Sequence, residues 1–251
     1  MAKILRNIGP VCSLYGELWK IRKHKKEIKK ALSAGDHEKA REWMLAAINI
    51  WTGDIEHNFK AKVNVKGREN IPEKGPVFFV SNHQGFADIP AIYYAINTLQ
   101  AGFIAKDSLA KVPLYGDWVT TVGGLFLERD NPRAAVKTFT KAEEMMKEGY
   151  SFVIFPEGTR SKTGVMGEFK KGAFKAPLKM GVPIVPITVS GTRQMLEVPG
   201  YLRGGECTVV IHKPVETAGL DRKAQAEIPD MVYKTIRDEL DKYEPQGQAC
   251  P

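Results

Sequence analysis

His83 and Asp88, five residues apart in SNHQGFADIP, are the pair in this chain best suited to moving a proton. A carboxylate on one imidazole nitrogen fixes the tautomer and leaves the other nitrogen as a base. With an ordinary pKa of about 6.5, histidine suits removal of a hydroxyl proton near neutral pH. On a regular helix two side chains at this spacing would stand about 140° apart, so a direct contact requires a turn. Gly85 permits one before Pro90 starts the following helix. The other four histidines (His24, His37, His57 and His212) have no comparable setting.

A second group lies in FPEGTRS, residues 155–161. There Arg160 can fork onto a phosphate, Gly158 allows close backbone approach, and Thr159 and Ser161 offer hydroxyls. The alternative for Glu157 and Arg160 is a loop salt bridge. A third candidate is Arg129 in GGLFLERD, residues 123–130, whose alternative is an exposed pair with Glu128 or Asp130. No G-x-S-x-G nucleophile elbow occurs, and no cysteine has a histidine beside it. Cys12, Cys207 and Cys250 are too few and too scattered for a disulfide framework or a zinc site, which predicts an intracellular, metal-free chain.

The elements that must position these residues are legible as short apolar runs alternating with helical patterns. Strands are predicted at Lys62–Lys66, Pro76–Ser81, Gly102–Ala105, Gly124–Glu128, Phe152–Phe155, Pro183–Val189 and Thr208–His212. Between them, Asn131 caps a helix over Pro132–Glu148 with Gly149 as its stop. Two further helices are predicted over 168–180, kinked by Pro177, and over 224–243, much of which starts at Pro229. FFVS and VIFP are near-continuous apolar runs, as buried central strands should be. The expected fold is α/β: a layered, largely parallel or mixed sheet flanked by helices. His83, Arg129 and Glu157–Arg160 then follow three strand ends, where open α/β sheets place their sites.

The chain has 251 residues, 37 of them basic and 29 acidic, for a net charge of +8. Residues 1–30 hold nine Lys and Arg against two Glu, a balance of +7, which leaves +1 for the rest. A nucleic-acid binder is disfavoured, because its charge should follow a face of the folded domain. No stretch reaches the roughly 20 apolar residues of a membrane-spanning helix. Residues 1–60 instead predict an amphipathic αα-hairpin, with Asp36 capping its second helix. It carries Tyr15, Trp19, Trp43 and Trp51 beside Lys20, Arg22, Lys23, Lys25 and Lys26, and resembles an interfacial membrane-docking element. The alternative is that the aromatic face packs on the protein's own core. On this reading residues 1–60 form a docking segment and 61–251 the α/β domain.

In their order, NHQGFAD, GLFLER, FPEGTRS and VPIVPITV (182–189) resemble the four blocks of the glycerolipid acyltransferases, specifically the 1-acylglycerol-3-phosphate (lysophosphatidate) acyltransferases. The likeness spans roughly residues 63–215. Leu125 and Leu127 replace commoner isoleucines, and Glu128 stands where aspartate is frequent; no reacting group changes. The resemblance implies that His83, oriented by Asp88, deprotonates the free hydroxyl of lysophosphatidate for direct attack on an acyl thioester. It further implies that Arg129 and Arg160, with Glu157, Gly158 and Thr159, form the phosphate site, with Lys106 in FIAKDSL as another cation. The donor would be acyl-acyl carrier protein or acyl-coenzyme A, with no bound cofactor or metal and an anionic membrane surface as partner. Peripheral association with the cytoplasmic face of the cell membrane follows from where such donors reside. Glycerol 3-phosphate or dihydroxyacetone phosphate as acceptor, and a non-catalytic membrane-binding module, are the alternatives.

Overall fold

The computed structural model describes residues 16–53, 55–129 and 131–244, together with Gly9 and Cys12. Seven strands form one sheet: β1 (Ala61–Lys66), β2 (Phe78–Ser81), β3 (Ala101–Lys106), β4 (Leu125–Leu127), β5 (Ser151–Ile154), β6 (Ile184–Ser190) and β7 (Gly205–Ile211). Their order across the sheet is β1-β7-β6-β2-β5-β3-β4. β6, β2, β5, β3 and β4 are mutually parallel, while β7 runs antiparallel to β6 and carries β1 parallel to itself. All seven predicted strands are present, with ends displaced by at most three residues.

Side chains alternate across each central strand, and the alternation sorts them into two cores. Phe79, Val153, Val185 and Ile187 face one hydrophobic cluster; Phe78, Val80, Phe152, Ile154 and Ile184 face the other. Helix α4 (Asp88–Ala95) covers the first face with Ala91 and Ile92. Helices α6 (Pro132–Lys147) and α8 (Arg222–Leu240) cover the second, with Met146 from one and Ile228, Val232 and Ile236 from the other. Asn131 caps α6 by accepting the Ala134 N–H, as its sequence predicts.

The two proline expectations require correction. In place of one helix over 168–180 there is a 3-10 turn at Lys171–Phe174 and then a short helix α7 (Lys175–Met180). Pro177 lies in its first turn, where no intrahelical N–H bond is needed. Helix α8 runs unbroken through Pro229 from its Asp221 cap, because the buried stripe around Pro229 outweighs one missing hydrogen bond.

At the N-terminal end, α1 (Arg22–Ser33) and α2 (His37–Thr52) form a helical hairpin, with Asp36 accepting the Lys39 N–H at 2.9 Å. A short helix, α3 (Ile55–Phe59), leads into β1. The hairpin shares its core with the sheet: Ala47, Ile48 and Trp51 join the first cluster, Ile28, Ala40 and Met44 the second. Trp51 is only 2% exposed, meets Tyr93 edge-on and packs tilted against Trp118, so it is core and unavailable to a bilayer. Trp43 is half-buried against His24. Trp19, 66% exposed, and Lys20, Arg22, Lys23 and Lys26 remain on the surface, while Lys25 pairs with Asp117 of helix α5 (Tyr115–Thr121). Tyr15 lies outside the described residues.

Candidate active site

The parallel strands β2, β3, β4, β5 and β6 all end on the same edge of the sheet, and the side chains that could react gather there. His83 follows β2 by two residues. Its Nδ1 donates to Asp88 Oδ2 at 2.7 Å, which leaves Nε2 as the basic nitrogen. The contact forms because α4 starts at Asp88 itself, two residues before the expected Pro90, and the chain 84–87 wraps over that carboxylate. Backbone N–H groups of Gln84 and Gly85 donate to Asp88 Oδ2 at 2.7 and 2.9 Å. The hydroxyl of Thr192, just beyond β6, donates to Oδ1. Asp88 is fully buried at a helix N-terminus, and these donors satisfy both of its oxygens.

Gly85 serves through close approach and not through a left-handed φ. A Cβ there would lie 2.3 Å from a carboxylate oxygen of Glu197. The same carboxylate accepts the Phe86 N–H at 2.8 Å and the Arg160 guanidinium at 3.1 Å. Arg160 therefore pairs with Glu197, not with Glu157, and its guanidinium lies over the Phe86 ring at 5.8 Å.

Glu157 is corrected as a phosphate-site residue. Buried, it accepts the N–H of His83 through Oε1 and that of Gly167 through Oε2, each at 2.7 Å. The Ser161 N–H donates back to the His83 carbonyl at 2.9 Å, so the 155–161 loop clasps the His83 backbone from both sides. Burial pushes the Glu157 carboxyl up to about 7, with the Asp88 charge adding to the rise and the two N–H donors opposing it. Gly158 takes φ +72° in this loop, a conformation glycine adopts without penalty, and lines a side cleft with Lys170.

A cleft of about 300 Å³ opens at His83. Its inner wall is apolar, formed by Ile89, Tyr93, Phe103, Tyr115, Trp118 and Val119; its rim carries Lys106, Arg129, Thr159 and Arg160. Phe155 lies flat under the His83 imidazole, with centroids 3.9 Å apart and planes 9° from parallel. The structure thus brings Lys106, Arg129, Thr159 and Arg160 to His83, and leaves Gly158 and Glu157 off the cleft. Sequence reasoning missed Phe155, Thr192 and Glu197. Thr192 follows the end of β6 as the other site residues follow their strands, and that is its signal in the sequence; nothing local marks Glu197. Among the described residues no cluster of His, Cys, Asp or Glu is placed to hold a metal ion.

Residues 62–190, just over half of the chain, match the protein family described as Acyltransferase. The chain belongs to that family. It is 40% identical over 165 residues to the chloroplastic 1-acyl-sn-glycerol-3-phosphate acyltransferase of Arabidopsis thaliana, a match covering 64% of this chain and 45% of the relative. It is 34% identical to the 1-acyl-sn-glycerol-3-phosphate acyltransferase of Borreliella burgdorferi, covering 66% of this chain and 63% of that one. The crystal structure of the 1-acyl-sn-glycerophosphate acyltransferase PlsC from Thermotoga maritima superposes with a TM-score of 0.77 at 27% identity, over 96% of this chain and 98% of that one. The chain spans about half the length of the first curated relatives it matches. In this member of the family, the sheet edge described above falls within or beside the matched segment.

Proposed function

We propose that the protein transfers a fatty acyl group from an acyl thioester to the free 2-hydroxyl of lysophosphatidate, giving phosphatidate. The observation that carries this reading is the His83–Asp88 pair, at 2.7 Å, at the mouth of an apolar cleft rimmed by cations. His83 Nε2 takes the hydroxyl proton as the oxygen attacks the thioester carbonyl. The carbon–sulfur bond then breaks, and the imidazolium returns the proton to the departing thiolate. Asp88 keeps Nδ1 protonated and stabilises the imidazolium. Lys106, Arg129 and Arg160 hold the acceptor phosphate, and the apolar wall from Ile89 to Val119 receives acyl chain. Burial pushes the Cys207 thiol up to about 12, which supports a direct transfer without an acyl-enzyme on that residue.

Docking on an anionic membrane surface is part of the same reading. No described helix is long and apolar enough to cross a membrane. Exposed Trp19 and Leu114 line a cleft with Arg22 and with Lys25, the latter paired to Asp117, and that cleft shares Trp118 with the catalytic one. Apolar rings beside cations suit an anionic bilayer surface, and the shared wall would bring it against the acyl site. A peripheral position on the cytoplasmic face, where thioester donors reside, follows.

The test is thiol release from an acyl thioester in the presence of lysophosphatidate, glycerol 3-phosphate or dihydroxyacetone phosphate. Release is expected to be fastest with lysophosphatidate. His83→Ala should lower kcat by about 10²–10⁴-fold with an unchanged circular dichroism spectrum. A fully active His83→Ala protein would remove the mechanism; faster release with either other acceptor would move the specificity to it.

A further inference from the structure

Against the catalytic cleft lies a second one of about 310 Å³, lined by Thr159, Arg160, Ser161, Lys162, Arg193 and Glu197. Thr159 and Arg160 line both, so the two clefts meet along that segment. Arg160 is paired with Glu197, which leaves Lys162 and Arg193 as surplus positive charge. Arg193 is held by donating Nη2 to the Lys162 carbonyl at 2.7 Å. The walls are those that grip the catalytic pair: the Ser161 N–H bonds the His83 carbonyl, and Thr192, next to Arg193, bonds Asp88. A cationic cleft fixed to the catalytic residues on both sides, yet lacking His83, is built to hold an anion that does not react.

We propose that this cleft binds the phosphate of the acyl donor's pantetheine arm; the inference rests on the acyl thioester-dependent reading above. Both substrates of that reaction carry phosphate, and reach separates them. The acceptor's phosphorus is only a few bonds from its free hydroxyl, about 5 Å, so it must lie among the cations beside His83. The donor's phosphate lies at the far end of pantetheine, on the order of 15 Å from the thioester carbon when extended, and must leave the catalytic cleft. The lining chemistry matches: Arg193 and Lys162 suit a phosphodiester or pyrophosphate. Glu197 suits the hydroxyl and amide N–H donors of the arm better than it suits a second dianionic phosphomonoester.

The experiment measures transfer to lysophosphatidate from three donors with one acyl chain: acyl carrier protein, coenzyme A, and N-acetylcysteamine, whose thioester has no phosphate. The variants are Lys162→Ala and Arg193→Gln, the second keeping a donor for the Lys162 carbonyl. In Arg193→Gln the preference in kcat/KM for phosphate-bearing donors over N-acetylcysteamine should fall about tenfold through the donor KM, and in Lys162→Ala severalfold. A fall with both phosphate-bearing donors assigns the cleft to the shared arm; a fall with one identifies the donor it serves. An unchanged preference in both variants overturns the proposal, as does an acceptor KM that rises as much as the donor KM. Wild-type protein releasing thiol from none of the three would fail the acyl-transfer reading instead.

Discussion

His83 reacts, but two carboxylates with opposite tasks make it able to. Asp88 faces the ring and accepts from it, from two backbone N–H groups and from the Thr192 hydroxyl. Glu157 faces the backbone and is pushed up to about 7, chiefly by burial, from an ordinary 4.5. Between about pH 4.5 and 7 the folded protein therefore holds a proton on Glu157 that the unfolded chain has released. The stability this gives is fully present below about 4.5 and is lost as pH rises through about 7, a span on the order of 3 kcal/mol. Thermal unfolding of wild type and Glu157→Gln from pH 4.5 to 8 checks this. The fall in Tm attributable to Glu157 should be absent from the glutamine variant. That variant should also start about 1–3 kcal/mol lower, because one of the two backbone N–H groups then faces an amide NH₂. Chain proximity gave Glu157 a plausible partner in Arg160. That alternative does not form, since Arg160 pairs with Glu197 instead, and the sequence does not say which side of a loop faces solvent.

At the scale of elements, strand ends do the positioning. β2 delivers His83, β5 the loop that clasps its backbone, β3 and β4 the cations Lys106 and Arg129, and β6 the hydroxyl of Thr192. Helix α4 adds its first residue, Asp88. Thr192→Val removes the hydroxyl donor and leaves a fully buried carboxylate oxygen unpaired, so kcat should drop about tenfold or more, with stability lowered by about 1–3 kcal/mol. Thr192→Ser restores the hydroxyl and should recover most of kcat; equal loss in both variants would refute the hydroxyl's part. Most of this arrangement was legible. Continuous apolar runs marked the buried strands, and the polar residues just past them marked the site. The turn at Gly85 was also legible, but its close neighbour was not: the carboxylate that a Cβ there would displace comes from Glu197, far along the chain.

Across the whole molecule, the N-terminal hairpin is both core and surface. Trp51, Ile48 and Met44 on α2 sit in the clusters that cover the sheet, while Trp19 stands in solvent beside the cations at the start of α1. Deleting residues 1–60 would therefore strip the sheet of packing as well as any bilayer contact, and point variants separate the two. Trp51→Ala should cost about 3–5 kcal/mol in denaturant unfolding. Trp19→Ala combined with Leu114→Asp should leave stability within about 1 kcal/mol and weaken flotation with anionic vesicles. Flotation equal to wild type in that double variant would remove the docking face.

By itself the sequence determined the seven strands, the caps at Asp36 and Asn131, the His83–Asp88 pair and the basic bias of the first thirty residues. These rest on short-range physics: side-chain periodicity, capping chemistry, and the reactivity of residues within one turn of each other. Only the tertiary structure decided that β7 reverses against β6, that Trp51 is buried, and that Thr192 and Glu197 reach the catalytic turn. It also set Glu157 behind His83 and Arg160 between two clefts. Those are contacts over dozens to more than a hundred residues. They form because burying both faces of one sheet brings distant strand ends to a common edge, and no local pattern encodes that closure.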